Sequence, residues 1–115
     1  MSRRVERVAD AIRAAVAEIL LREVKDPRVG MVTITDVKLS NDLRHARVFF
    51  SVFGGEEQRE ASLAGLQRAA GFIRRQLARH VELRVSPEIS FAFDPGLEQA
   101  ERLARLLKKD AGEES

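Results

Sequence analysis

Apolar side chains recur at spacings of three and four from Val5 through Val8, Ile12, Val16 and Ile19 to Leu20, which predicts an amphipathic helix over residues 3–24. Arg3, Arg4, Glu6, Arg7, Asp10 and Arg13 supply its wet face. Asp26-Pro27 ends it, because proline pushes the residue before it out of the helical region, and Gly30 completes the break. The period then changes. Residues 31–39 are rich in β-branched side chains and read as a strand. In residues 45–53, Ala46, Val48, Phe50 and Val52 alternate with Arg47, Phe49, Ser51 and Phe53, a second strand. Ser40-Asn41-Asp42-Leu43 between them is a turn, since Asn and Asp side chains bond their own backbone. So short a connection makes the two strands an antiparallel hairpin.

Gly54-Gly55 stops the second strand, and Glu56, Glu57 and Glu60 open a helix, where carboxylates suit the positive end of the dipole. Leu63, Leu66, Ala70, Ile73 and Leu77 hold a helical stripe to about residue 81. Gly71 lies inside it. A glycine within a helix costs about 1 kcal/mol relative to alanine, so Ala69-Ala70-Gly71 predicts a kink between two shorter helices. After Val85-Ser86-Pro87 comes a third strand over residues 88–94, with Ile89, Phe91 and Phe93 on one face and Pro95-Gly96 as its stop. A last helical pattern, with Leu97, Leu103, Leu106 and Leu107, covers residues 97–108, and a disordered acidic tail follows at 110–115. The predicted order is α-β-β-α-kink-α-β with a trailing helix. It makes an α+β domain over residues 1–109, a three-stranded mixed sheet covered by helices. That order resembles the type II KH fold.

Composition narrows the function. The 115 residues are enough for one core and not two. There is no cysteine, which removes disulfides and thiolate metal sites and fits a reducing cytoplasm. No apolar run is long enough to span a membrane, and the start, Met-Ser-Arg-Arg-Val-Glu, is unlike a signal peptide. The chain is therefore expected to be cytoplasmic and monomeric. Net charge is +2, but Asp110, Glu113 and Glu114 lie in the tail, and the rest carries +5. Sixteen of the twenty basic residues are arginine, which forks onto phosphate and stacks on bases. A GC-rich or thermophilic source accounts for arginine equally well.

Enzyme chemistry finds little support. The two histidines, His45 and His80, have no metal-ligand spacing; they read as surface or helix-end residues. There is no phosphate-binding glycine loop, no dinucleotide fingerprint and no nucleophile elbow around Ser62, Ser86 or Ser90. Most carboxylates stand beside arginines at helical spacing, as solvated ion pairs do. No cofactor, metal, membrane or small-molecule substrate is expected.

The basic constellation is more informative. Residues 68–84 hold Arg68, Arg74, Arg75, Arg79 and Arg84 against Glu82 alone, a local charge of +4. With a helix beginning at Phe72, Arg75 and Arg79 share a face, Arg68 lies across the kink and Arg74 stands near it. The arginines then surround a helix N-terminus, whose free N–H groups favour an anion. Such a cluster suits an RNA backbone; the competing reading is an ordinary wet helix face. Arg3, Arg4 and Arg7 on the first helix, and Lys38, Arg44 and Arg47 around the hairpin, are weaker candidates to extend it. Phe49, Phe53, Phe91 and Phe93 invite comparison with base-stacking platforms, but most are expected in the core, and Tyr and Trp are absent.

Three segments point to a family. Glu23-Val24-Lys25-Asp26-Pro27-Arg28-Val29-Gly30-Met31, Ala69-Ala70-Gly71-Phe72-Ile73-Arg74, and Leu83-Arg84-Val85-Ser86-Pro87-Glu88-Ile89-Ser90-Phe91 resemble, in order, the markers of ribosome-binding factor A. The resemblance runs from about Arg4 to Leu107. It implies a type II KH-like fold in which an Ala-x-Gly kink, here Ala69, Ala70 and Gly71, replaces the Gly-x-x-Gly loop of KH domains. It also implies a non-enzymatic factor that binds the immature small ribosomal subunit and its rRNA, assists rRNA maturation, leaves before translation and matters in the cold. Some members carry a longer C-terminal extension. Two further readings stay open on the residues: a protein-interaction domain using a strand edge or the trailing helix, and an enzyme with perturbed carboxylates in a pocket.

Overall fold

The structure, a computed structural model, describes residues 3–29, 31–84, 86–94, 96 and 104–108. Its elements are α1 (Arg3–Arg22), a 3₁₀ turn (Pro27–Val29), β1 (Val32–Leu39), β2 (His45–Val52), α2 (Glu56–His80) and β3 (Glu88–Phe93). The sheet order is β1-β2-β3, with β1 antiparallel and β3 parallel to the central β2. Two parallel neighbours need a crossover, and α2 is that crossover. The mixed three-stranded sheet of an α+β fold is as the sequence predicts.

Both helices cover one face of the sheet. α1 contributes Val5, Ile12, Val16 and Ile19, α2 contributes Leu66, Ile73 and Leu77, and β2 contributes Ala46, Val48 and Phe50, all buried. Phe93 meets Phe50 edge-on at 5.9 Å between ring centres.

In β1 the pairing register slips between Ile34 and Asp36. Strict alternation from Ile34 would drive Asp36 and Lys38 into the core. The bulge at Thr35 resets the phase, so that Val37 and Leu39 are buried with Ile34 and Lys38 stays in water. The Thr35 hydroxyl donates to Asp94 Oδ2 at 2.6 Å, which ties β1 to the end of β3.

One prediction fails. α2 is a single helix of 25 residues, and it runs unbroken through Ala69-Ala70-Gly71. A glycine's cost of about 1 kcal/mol is outweighed where Leu66, Ile73 and Leu77 bury the same stripe on both sides of it. There is no second helix N-terminus near Phe72. α1 also stops at Arg22, two residues short of the predicted end, where Glu23 and Val24 both bond the Ile19 carbonyl. Of the trailing helix, residues 104–108 are helical and exposed, including Leu106 and Leu107; residues 97–103 and the tail at 110–115 lie outside the described residues.

Candidate nucleic-acid interface

The segment between α1 and β1 fixes the near side of α2. Asp26 accepts from the Arg28 backbone N–H at 3.0 Å and from its guanidinium at 2.6 Å. This fork holds the Asp26 carboxyl down at about 2, with the Arg28 side chain the largest cause and the Arg28 backbone N–H the next. The 3₁₀ turn then lies on α2. Ser62, 1% exposed, donates its hydroxyl to the Arg28 carbonyl at 3.0 Å. At Gly65 a Cβ would stand 3.1 Å from a Val29 methyl and 3.2 Å from Arg28 Cβ. Gly65 is thus what lets the turn approach. Sequence reasoning missed this seat; the small residues at 62 and 65, three apart on the buried face, were its signal.

Beyond that seat α2 turns basic. The continuous helix stacks Arg68, Gly71, Arg75 and Arg79 on one face, three, four and four residues apart, and all are exposed. The line runs about 16 Å along the axis at 1.5 Å per residue. At Gly71 a Cβ would lie 3.6 Å from Arg75 Nη1, so the guanidinium rests over the bare backbone. Among the described residues, no carboxylate lies within 4.0 Å of Arg68, Arg75, Arg79 or Arg84.

This geometry corrects the predicted cluster. Without a break at Gly71 the arginines surround no helix N-terminus; they form a stripe along the middle and end of one helix. Arg68 joins Arg75 and Arg79 directly instead of facing them across a kink. Arg74 leaves the group: its Nη2 donates to the Ser86 carbonyl at 2.9 Å, holding the approach to β3. Ala69 turns with Phe72 toward Glu23, Lys25 and Asp26, in an open groove of about 420 Å³, and Ala70 is half-buried.

The weaker candidates divide. Arg3, Arg4 and Arg7 are exposed at the start of α1, and Arg4 shares a cavity with Arg84. Lys38 and Arg47 are register partners on the sheet's open face, away from both helices, and Arg44 is exposed at its end. Lys38 is paired with Asp36 at 3.5 Å, and the Arg47 guanidinium sits 6.0 Å from the Phe49 ring centre. Of the four phenylalanines, Phe91 is in the core and Phe93 packs partly against it, beneath the Arg59 guanidinium at 4.5 Å; Phe49 is half-buried and Phe53 is 85% exposed. His45 faces Glu88 at 3.6 Å and His80 faces Glu23 at 3.5 Å.

Residues 4–107 match the family model of ribosome-binding factor A. The chain belongs to the ribosome-binding factor A family. It is 50% identical over 108 residues to ribosome-binding factor A of Thermomicrobium roseum, covering 94% of this chain and 84% of that one. The crystal structure of ribosome-binding factor A from Thermus thermophilus superposes with a TM-score of 0.68 at 30% identity, covering 76% of this chain and 93% of the other. A homology model of the Thermus thermophilus factor, fitted into a cryo-EM map of its complex with the 30S subunit, superposes at 0.63 and 30% identity, over 76% and 91% of the two chains. Family membership accounts for the three sequence markers. The first is the forked turn seated on α2, the second the mid-helix stretch beside Arg75, and the third the segment that Arg74 anchors.

Proposed function

We propose that this chain binds the immature small ribosomal subunit through its rRNA and assists rRNA maturation without catalysing a reaction, with its greatest effect in the cold. The relatives named for ribosome binding, and the Thermus thermophilus factor's complex with the 30S subunit, support the choice of partner. The observation that carries the RNA reading is the exposed stripe of Arg68, Arg75 and Arg79 on α2, with no carboxylate at ion-pair distance among the described residues. Solvated helix faces commonly pair such cations with carboxylates at i±3 or i±4. Here Arg68 and Arg75 have only uncharged or basic residues at those positions, among them Ala64, Gly71 and Phe72, and Arg79 has one carboxylate, Glu82, which lies past the end of α2 and makes no ion pair with it. The missing side chain at Gly71 lets the Arg75 guanidinium lie along the helix between Arg68 and Arg79, where it faces a phosphate backbone. The protein acts where these contacts form, in the cytoplasm, as a monomer.

Salt titration tests the mechanism. Each phosphate neutralised lowers the log–log salt slope by roughly 0.7 to 0.9, so the change of Arg68, Arg75 and Arg79 to alanine flattens the slope of subunit binding by about 2 to 3. An unchanged slope would remove these arginines from the interface, and binding insensitive to salt would favour an apolar protein contact.

A further inference from the structure

The stripe on α2 leaves unexplained a recess on another part of the molecule. Three segments distant in sequence build it: the start of α1, the β1–β2 turn and the chain just after α2. Val8, Leu43 and Leu83 form its apolar walls, Arg4 and Arg84 stand on its rim, and Asp42 and Glu82 add carboxylates, around an open cavity of about 580 Å³. A second recess of about 480 Å³ shares Arg4, Val8, Glu82 and Leu83 with the first and adds Arg7. The two are therefore one groove with two chambers and three arginines. Each chamber has the volume of a small-ligand site.

The turn that walls the groove is rigid. Leu43 has φ of 63°, the one positive φ outside glycine among the described residues. A bulky side chain seldom adopts that conformation, and such strain persists only where neighbours over-determine it. Here they do. Leu43 N–H bonds the Ser40 carbonyl, Ser40 N–H bonds the His45 carbonyl, and His45 N–H bonds Ser40 Oγ. Asp42 Oδ1 is held by the Ser40 hydroxyl at 2.6 Å and Arg44 N–H at 3.0 Å. These bonds keep its carboxyl below the usual carboxylate range, the Ser40 hydroxyl most. Asp42 is thus an oriented acceptor at the groove, and Leu43 is presented to it at the expense of backbone strain.

We infer that this groove receives two successive unstacked nucleotides of single-stranded RNA, with bases against Val8, Leu43 and Leu83 and phosphates on Arg4, Arg7 and Arg84. The charges fit that occupant. Arginines at the rim suit a backbone, and splayed bases are read by their edges on a protein's apolar and polar groups. Carboxylates accept from exocyclic amino groups, as from cytosine N4. Asp42 and Glu82 therefore favour bases with an amino group on the pairing edge over uracil, which has a single N3–H donor there and sets the O4 carbonyl where cytosine has its amino group. The inference rests on the RNA reading above, but it places a different contact at a different site.

The test is NMR of the isotope-labelled full chain, titrated at low ionic strength with hexacytidylate and with hexauridylate. The expected result is that hexacytidylate moves the backbone amides of Val8, Leu43, Leu83 and Arg84 at least threefold more than hexauridylate does. Glu82→Gln removes this preference, and Arg84→Glu removes the groove shifts while amides around Gly71 and Arg75 still respond. Equal groove shifts with both oligonucleotides would overturn the selection by amino groups. Shifts confined to α2 would overturn the groove and leave the stripe standing. No shift at any amide would overturn both.

Discussion

At the residue scale, the clearest electrostatic element is the fork of Arg28 on Asp26. The Asp26 carboxyl titrates at about 2 in the folded chain, below its ordinary value of 3.8. A depressed carboxylate stabilises the fold above its unfolded pKa, and that contribution is lost as pH falls through the folded one. Thermal unfolding of the wild type and of Asp26→Asn should therefore differ by a constant margin above about pH 5, and the margin should shrink between pH 3.8 and pH 2. A margin that does not change with pH would mean the fork contributes nothing as a charge pair. Arg74 carries a contact within the fold that its sequence reading did not include. It belongs by position to the arginine cluster, but its bond to the Ser86 carbonyl makes it a fastener of the α2–β3 link. Arg74→Ala should cost about 1 kcal/mol of stability and leave the salt slope of subunit binding unchanged. Only the distance between Arg74 and Ser86 in the fold, not their spacing of twelve residues, reveals this.

At the element scale, the contact that matters most is the seat of the 3₁₀ turn on α2. Ser62→Ala leaves the Arg28 carbonyl without its buried donor and should cost about 1–2 kcal/mol in denaturant unfolding. Gly65→Val should cost about 1–3 kcal/mol by overpacking against Val29 and Arg28. A glycine in open space on a helix would instead gain stability on such replacement, so the sign of the Gly65 result decides whether the close approach is real. The same scale shows why the elements were legible and their joints were not. α1, β2 and β3 announce themselves through period, because each buries one stripe or one face. The bulge in β1 is written as Ile34 and Val37 standing three apart in a strand, a spacing that period two forbids, and it needs the partner strand to be recognised. Propensity alone misreads the unbroken α2 at Gly71, because it speaks for one residue, whereas Leu66, Ile73 and Leu77 bury a stripe across it. Gly65, the glycine with a packing task, carries no such flag in the sequence.

At the scale of the whole molecule, α2 serves two sides at once. Its buried stripe closes the core over the sheet, and its opposite face carries Arg68, Gly71, Arg75 and Arg79 into solvent. The charge is also ordered along it: Glu56 and Glu57 stand in the first turn and Arg79 in the last, each favourable to the helix dipole. The basic half is thus compatible with a stable helix before any partner binds, and reversing exposed charges there should leave the fold standing. The basic segment of the sequence falls on α2, but the anion site at a helix start expected there is absent, because the helix is continuous. Which arginines share a face follows from that continuity, since it brings Arg68 into line with Arg75 and Arg79 and sets Arg74 toward Ser86. The most direct test is co-sedimentation of the chain with immature small ribosomal subunits, comparing the wild type with the combined change of Arg68, Arg75 and Arg79 to glutamate. The account predicts that the variant unfolds at the wild-type temperature to within a few degrees and no longer sediments with the subunits. A folded variant that sediments as the wild type does would contradict it.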